Sequence, residues 1–171
     1  MLTIEHLTKQ FGEKTLFRDL CLTVDGPAVL WAPSGWGKTT LLRILMGLDT
    51  PTAGRVRGVG RAAAVFQEDR LFGALSALEN CALVSDKSGC EIRKMLISTG
   101  LSEDDITRPA EVLSGGMKRR TAIVRAMCRS CGILLMDEPF RGIDSENRIK
   151  TAEMISRNIS GKTVIAVTHD I

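Results

Sequence analysis

The sequence predicts an α/β fold: a mostly parallel core sheet with helices on both faces, an antiparallel β part at the N-terminus and a helical insert. Three observations carry the prediction. A glycine-bearing loop, Ala32 to Thr40, joins a short apolar run to a run with helical periodicity. A second apolar run, Gly132 to Met136, ends on two acids, Asp137 and Glu138. Being apolar on both faces, it reads as a central strand of a parallel sheet. From Ser76 to Ile106 the pattern is helical, with no β-branched run to suggest strands. At 171 residues the chain is long enough for one domain with a full core.

Taken in order, Leu2–Lys9 and Leu20–Val24 read as strands, with Gln10–Lys14 a turn between them. Phe11 lies in that turn. It is either a core or turn-packing side chain or an aromatic platform for a base. Asp25-Gly26-Pro27 turns the chain into the strand Ala28–Trp31. The loop that follows is Ala32-Pro33-Ser34-Gly35-Trp36-Gly37-Lys38-Thr39-Thr40. Strand, glycine loop and helix together form a phosphate-binding element: backbone N–H groups and the helix N-terminus face the anion. Lys38 would reach the β- and γ-phosphates and the Thr39 hydroxyl would take one position on Mg²⁺. Ala32 stands where this pattern expects its first glycine. Alanine tolerates positive φ poorly, so the backbone there is either ordinary or strained.

The breaker-rich segment Gly47–Gly54 reads as a loop, followed by short strands at Arg55–Val59 and Ala62–Phe66. Gln67-Glu68-Asp69-Arg70 closes the second strand. A glutamine there is an ordinary solvated residue unless strand order brings it to the phosphates. Within the helical segment, breaks fall near Ser85–Gly89 and at Gly100. Ser114 reads as an N-cap, followed by a helix with its apolar stripe on Ala122, Ile123, Ala126 and Met127. Gly115 and Gly116 at that N-terminus are either a second anion-binding element or a plain capping pair. Asp137 and Glu138 sit at the C-terminal end of their strand, where open α/β sheets bind ligands. Buried acids need a partner, and Mg²⁺ beside the phosphates supplies one. A turn over Arg141–Asp144, a helix over Ser145–Ile159 and a strand over Thr163–Val167 follow. The chain then closes on Thr168-His169-Asp170-Ile171.

Composition excludes little else. Net charge is +3, too small to argue for nucleic acid, and no apolar run is long enough to span a bilayer. The N-terminus lacks the layout of a signal peptide. The five cysteines read as reduced thiols, and Cys128-Arg129-Ser130-Cys131 lacks the second pair or nearby histidines of a metal site.

These pieces, in this order, resemble the nucleotide-binding domain of ABC transporters over essentially the whole chain. The specific part is Leu113-Ser114-Gly115-Gly116 placed about twenty residues before Leu134-Leu135-Met136-Asp137-Glu138-Pro139. The resemblance implies a P-loop NTPase-type fold in a single ATPase domain. Residues 1–75 and 107–171 would form a RecA-like core and residues 76–106 the main helical subdomain, with the signature loop 113–117 at its end. It assigns Phe11 to stacking on adenine and Ala32 to Thr40 to ATP. Gln67 would touch Mg²⁺ and the attacking water and sense the membrane partner. Ser114, Gly115 and Gly116 would bind the ATP of a second copy. Asp137 would hold Mg²⁺, Glu138 would be the catalytic carboxylate, Asp144 would lie at the dimer interface and His169 would contact the γ-phosphate.

The implied activity is ATP hydrolysis with ATP and Mg²⁺, powering a membrane importer of a small anion or nutrient. The implied partners are a second ATPase subunit, as a homodimer in the ATP state, and a transmembrane permease, with no nucleic acid. The implied location is cytoplasmic, peripheral on the inner face of the membrane through that permease. Val65–Phe72 with Glu138-Pro139-Phe140 looks most like the nitrate, sulfonate and taurine importers. Two other readings are a soluble ABC ATPase in DNA repair or translation and a non-hydrolysing ATP-binding regulator. The first lacks a coiled-coil insert here, and intact Lys38, Asp137 and Glu138 argue against the second. The chain departs from the family at Ala32, at Met117 in place of glutamine, and at Trp36, whose bulk is expected to point outward. The family also continues past its histidine, so His169 is expected on a fraying end.

Overall fold

In the computed structural model, which describes residues 1–168, the α/β architecture expected from the sequence is present. Two compact units are seen. One comprises residues 1–64, 131–138 and the chain from Gly161 on; the other comprises residues 65–130 and 139–160.

The first unit holds two sheets. Strands β1 (Leu2–Phe11), β2 (Lys14–Val24) and β4 (Ala53–Arg57) form an antiparallel sheet in the order β2-β1-β4. Strands β3 (Pro27–Trp31), β7 (Thr163–Thr168), β6 (Ile133–Asp137) and β5 (Ala62–Val65) form the second, in the order β3-β7-β6-β5. Its β3–β7 and β6–β7 pairings are parallel. Helix α1 (Lys38–Leu45) packs beneath it. One core joins Leu2, Ile4 and Leu7 of β1 to Leu41, Leu42 and Leu45 of α1 and to Leu135, Ile165 and Val167 of the parallel sheet.

The N-terminal strands are longer than the sequence pattern indicates. The turn is only Gly12-Glu13, with Gly12 at φ 56°, so β1 runs on to Phe11 and β2 starts at Lys14 instead of Leu20. Both extensions carry exposed polar residues, which leave no clean alternation to read. Among the described residues β3 is an edge strand and leaves Val29 and Trp31 exposed.

The second unit is helical: α2 (Ala77–Ala82), α3 (Gly89–Ser98), α4 (Glu103–Thr107), a 3-10 turn at Ala110–Val112, α5 (Gly115–Cys128) and α6 (Ser145–Asn158). The breaks fall where glycine and serine predicted them. Three of the helices open with a reciprocal capping box: Ser76 with Glu79, Ser88 with Glu91 and Ser102 with Asp105. The Ser76 N–H and hydroxyl hold Glu79 below the usual carboxylate range, and the Ser88 and Ser102 groups do the same for Glu91 and Asp105. A depressed folded-state pKa stabilises fully above the unfolded value and is lost as pH falls through the folded one. Thermal midpoints followed by circular dichroism should therefore drop as pH falls below about 4. Ser88→Ala should make that drop shallower; an identical drop in both proteins would contradict the capping account.

Candidate functional site

The glycine loop leaves β3 at Trp31 and enters α1 at Lys38. Gly37 is the N-cap residue of α1 at φ 101°, and Gly35 has φ 80°. At Gly37 glycine is required twice over. The backbone is left-handed, and a Cβ would press to 3.1 Å from Leu16 Cδ1. Ala32, by contrast, has an ordinary negative-φ backbone, is buried, and donates its N–H to the Thr168 carbonyl at 3.4 Å. A first glycine is thus not needed for the conformation the loop adopts. The Lys38 ammonium folds back over the loop and donates to the Ala32 carbonyl at 2.5 Å and the Pro33 carbonyl at 3.3 Å. Pro33, Ser34, Gly35 and Thr39 are exposed, and Thr40 is half-buried.

Trp36 corrects an expectation. It does not point outward: its ring stacks on Phe17 with centroids 5.7 Å apart and packs against the first unit's core. An indole gains more by covering apolar surface than by standing in water. Together with Leu20, Leu22, Trp31 and Lys38 it lines a cavity of about 310 Å³ beside the loop.

All five residues of β6 are buried, as the apolar run predicted. Asp137 Oδ2 accepts a hydrogen bond of 2.6 Å from the Thr39 hydroxyl, across 98 residues of sequence. Glu138 follows with φ 48° and its N–H on the Val167 carbonyl at 2.9 Å. A left-handed glutamate costs of order 1 kcal/mol. Its carboxylate is nearly buried and accepts from the Thr168 hydroxyl at 3.2 Å. So the loop, Thr39, Asp137 and Glu138 gather at the carboxyl ends of β3, β6 and β7. Phe11 lies at the end of β1, 51% exposed and thus not a core residue, with the Lys9 ammonium 4.5 Å from its ring centre. His169 lies outside the described residues.

The second unit carries the other candidates. Ser114 caps α5, its hydroxyl accepting from the Met117 N–H at 3.3 Å, as predicted. Gly116 abuts the following loop so closely that a Cβ would come within 2.8 Å of the Gly142 carbonyl. Gly116, Gly142 and Asp144 therefore belong to one locality of this unit. Asp144 caps α6, accepting from the N–H (3.0 Å) and side-chain amide (2.8 Å) of Asn147. Those Asn147 bonds hold its carboxyl below the usual range. Gln67 is exposed just past the end of β5.

Sequence reasoning missed Arg119. The residue is 3% exposed on α5, yet its Nε donates to the Pro139 carbonyl at 3.2 Å. Its Nη1 donates to the Phe66 carbonyl and to Asp69 Oδ1. It thereby ties the residue before Gln67 and the residue after Glu138 to one helix. An arginine in an exposed-looking Lys-Arg-Arg run gives no hint of this in sequence. Arg119→Ala strands these buried acceptors and should lower the unfolding free energy by about 3 kcal/mol, read from urea melts. A change within experimental error would show the three bonds to be immaterial.

Comparison with known proteins adds relatives to this geometry. A family model described as ABC transporter matches residues 20–141. The aliphatic sulfonates import ATP-binding protein SsuB 3 of Paraburkholderia xenovorans is 38% identical over 99% of this chain and 70% of its own length. The dimeric structure of MJ0796, a bacterial ABC transporter cassette, superposes with a TM-score of 0.85 at 29% identity, covering 99% of this chain and 88% of that one. A dimeric post-hydrolysis state of the same cassette, bound to ADP and Pi, gives 0.82 at 30% identity over the same shares.

Proposed function

Because the chain belongs to the ABC transporter family, we propose that it is the ATP-hydrolysing subunit of a membrane importer, working as a pair of copies against a membrane-spanning permease. The observation that carries the reading is the 2.6 Å bond between Thr39 and Asp137. It places a hydroxyl and a carboxylate oxygen beside a loop built for phosphate. These hard oxygen donors suit Mg²⁺. Bound there, the ion would neutralise charge on the phosphates.

This chain's residues would do the rest. The loop from Ala32 to Thr40 surrounds the phosphates with N–H groups. Lys38 exchanges its two carbonyl partners for β- and γ-phosphate oxygens. Glu138 takes a proton from the attacking water as the water oxygen bonds to the γ-phosphorus and the bond to the bridging oxygen breaks. Gln67 helps orient that water and reports the state of the permease. The exposed Phe11 ring stacks on adenine. Ser114, Gly115 and Gly116 bind the γ-phosphate held by a second copy, with Asp144 at the interface between copies. ATP then binds tightly only where two copies close on it, and hydrolysis removes the contact that favours closure.

The sulfonate importer among the relatives supports a small organic anion as cargo. Among the described residues no helix is long and apolar enough to cross a membrane. The proposed location is the inner membrane face, held through the permease. A direct test of the shared site is Ser114→Arg. Losing the N-cap costs α5 only about 1 kcal/mol, so the fold survives. At protein concentrations too low for copies to pair, fluorescent ATP should bind the variant about as well as wild type, while hydrolysis at concentrations where wild type pairs falls at least about a hundredfold. Loss of nucleotide binding by the variant's own loop would contradict a site shared between copies.

A further inference from the structure

We propose a divalent transition-metal site, suited to Zn²⁺, on the β1–β2 ribbon, formed by His6, Asp19 and Cys21. The three donor atoms lie within 4.8 Å of one another. His6 Nδ1 is 2.7 Å from Asp19 Oδ1 and 3.8 Å from Cys21 Sγ. All three residues are exposed and open to solvent metal.

Two opposed β-bulges bring these side chains together. Between the pairs Ile4–Leu22 and Leu7–Leu20, Glu5 and His6 stand against Cys21 alone. Between Leu7–Leu20 and Lys9–Phe17 the surplus moves to β2, where Arg18 and Asp19 stand against Thr8. Each bulge puts its second residue in the left-handed region, His6 at φ 51° and Asp19 at φ 55°. Neither is glycine, so each stores strain. The ribbon holds both in place. The His6 N–H donates to Cys21 Sγ at 3.3 Å and the Asp19 N–H to Thr8 Oγ1 at 3.1 Å. On the other side β4 repeats the β1 bulge, with Thr8 paired to Ala53 and Glu5 to Arg55. Gly54 fills the gap, where any Cβ would strike the backbone oxygens of Glu5 and His6. Bulges of this kind re-aim side chains, and here they re-aim three donors to one point.

The convergence favours a metal over a nucleophile. A Cys-His-Asp catalytic set needs the thiol on one imidazole nitrogen and the carboxylate on the other. Here both meet Nδ1. Tetrahedral zinc bonds place nitrogen and sulfur about 3.6 Å apart, close to the observed 3.8 Å. The His6–Asp19 pair need only open by about 0.6 Å to accept the ion. On binding, the Cys21 thiol loses its proton to solvent. His6 carries its proton on Nε2, and Nδ1, Oδ1 and Sγ bond the metal with water in the fourth position. Nitrogen and sulfur donors in this set select zinc-like ions over Mg²⁺, so the site is separate in chemistry from the one at Thr39 and Asp137.

The test uses the full chain with Co²⁺ as spectroscopic probe. One equivalent should produce a thiolate-to-cobalt charge-transfer band that Zn²⁺ abolishes. Cys21→Ser should remove the band, and His6→Asn and Asp19→Asn, which tolerate left-handed backbone, should weaken binding at least about tenfold. Cys90→Ser, at the other exposed cysteine, should change nothing. In wild-type protein Zn²⁺ should slow alkylation of Cys21 and leave Cys90 unprotected, a reading that needs no variant to fold. Absence of the band, its survival in Cys21→Ser, or equal alkylation of Cys21 with and without Zn²⁺ would overturn the proposal.

Discussion

Glu138→Gln is expected to slow ATP hydrolysis by about a hundredfold to ten-thousandfold while leaving nucleotide binding intact. Glutamine keeps the shape of glutamate, so the N–H bond to Val167 and the contact with Thr168 have no steric reason to change. It lacks the charge that draws a proton from water. The left-handed backbone at Glu138 is also the kind of strain that persists where its surroundings over-determine a side chain's aim. Single-turnover phosphate release checks the expectation. Because the slow step then follows ATP binding, the variant should also accumulate as an ATP-dependent pair of copies in size-exclusion chromatography. Equal turnover in wild type and variant would remove Glu138 from the proposed chemistry.

Lys38→Ala acts earlier, on binding itself. The ammonium is seated over the loop on two carbonyl oxygens, and in the proposed site it moves onto phosphate. Charge-assisted hydrogen bonds contribute about 1.5–3 kcal/mol, so affinity for ATP should fall about tenfold to a hundredfold. Hydrolysis should fall by about a hundredfold or more, because the charge that develops on the phosphates loses a fixed counter-charge. Folding should hardly change, since among the described residues the Lys38 ammonium bonds to the loop it lies on. Fluorescent-nucleotide titration beside steady-state hydrolysis separates the two effects. Unchanged affinity would mean that the loop holds the phosphates by its backbone alone.

The parts of the candidate site that were legible in sequence are those whose chemistry is local. Gly35, Gly37, Lys38 and Thr39 are read from one loop, Ser114 from its position before a helical stripe, and Asp137 and Glu138 from an apolar run that ends in acids. What could not be read depends on strand register and packing. Thr39 and Asp137 meet only because β3 and β6 both flank β7. His6, Asp19 and Cys21 meet only because two bulges shift the ribbon's register in opposite senses. Trp36 turned inward because Phe17, on the neighbouring ribbon, offers it an apolar face. Arg119 was hidden because its partners include the carbonyl oxygens of Phe66 and Pro139, which no sequence displays, and a carboxylate, Asp69, 50 residues away.

The central claim is that each ATP site takes its loop from one copy and its signature segment from another. Mixing two inactive variants tests it most directly. Lys38→Ala lacks a working loop, and Ser114→Arg lacks a working signature. Paired with each other they rebuild one complete site, from the Ser114→Arg loop and the Lys38→Ala signature segment. Random pairing makes half the dimers mixed, each with one site of two, so the mixture should recover roughly a quarter of wild-type hydrolysis. A mixture as inactive as its two components would contradict the shared site.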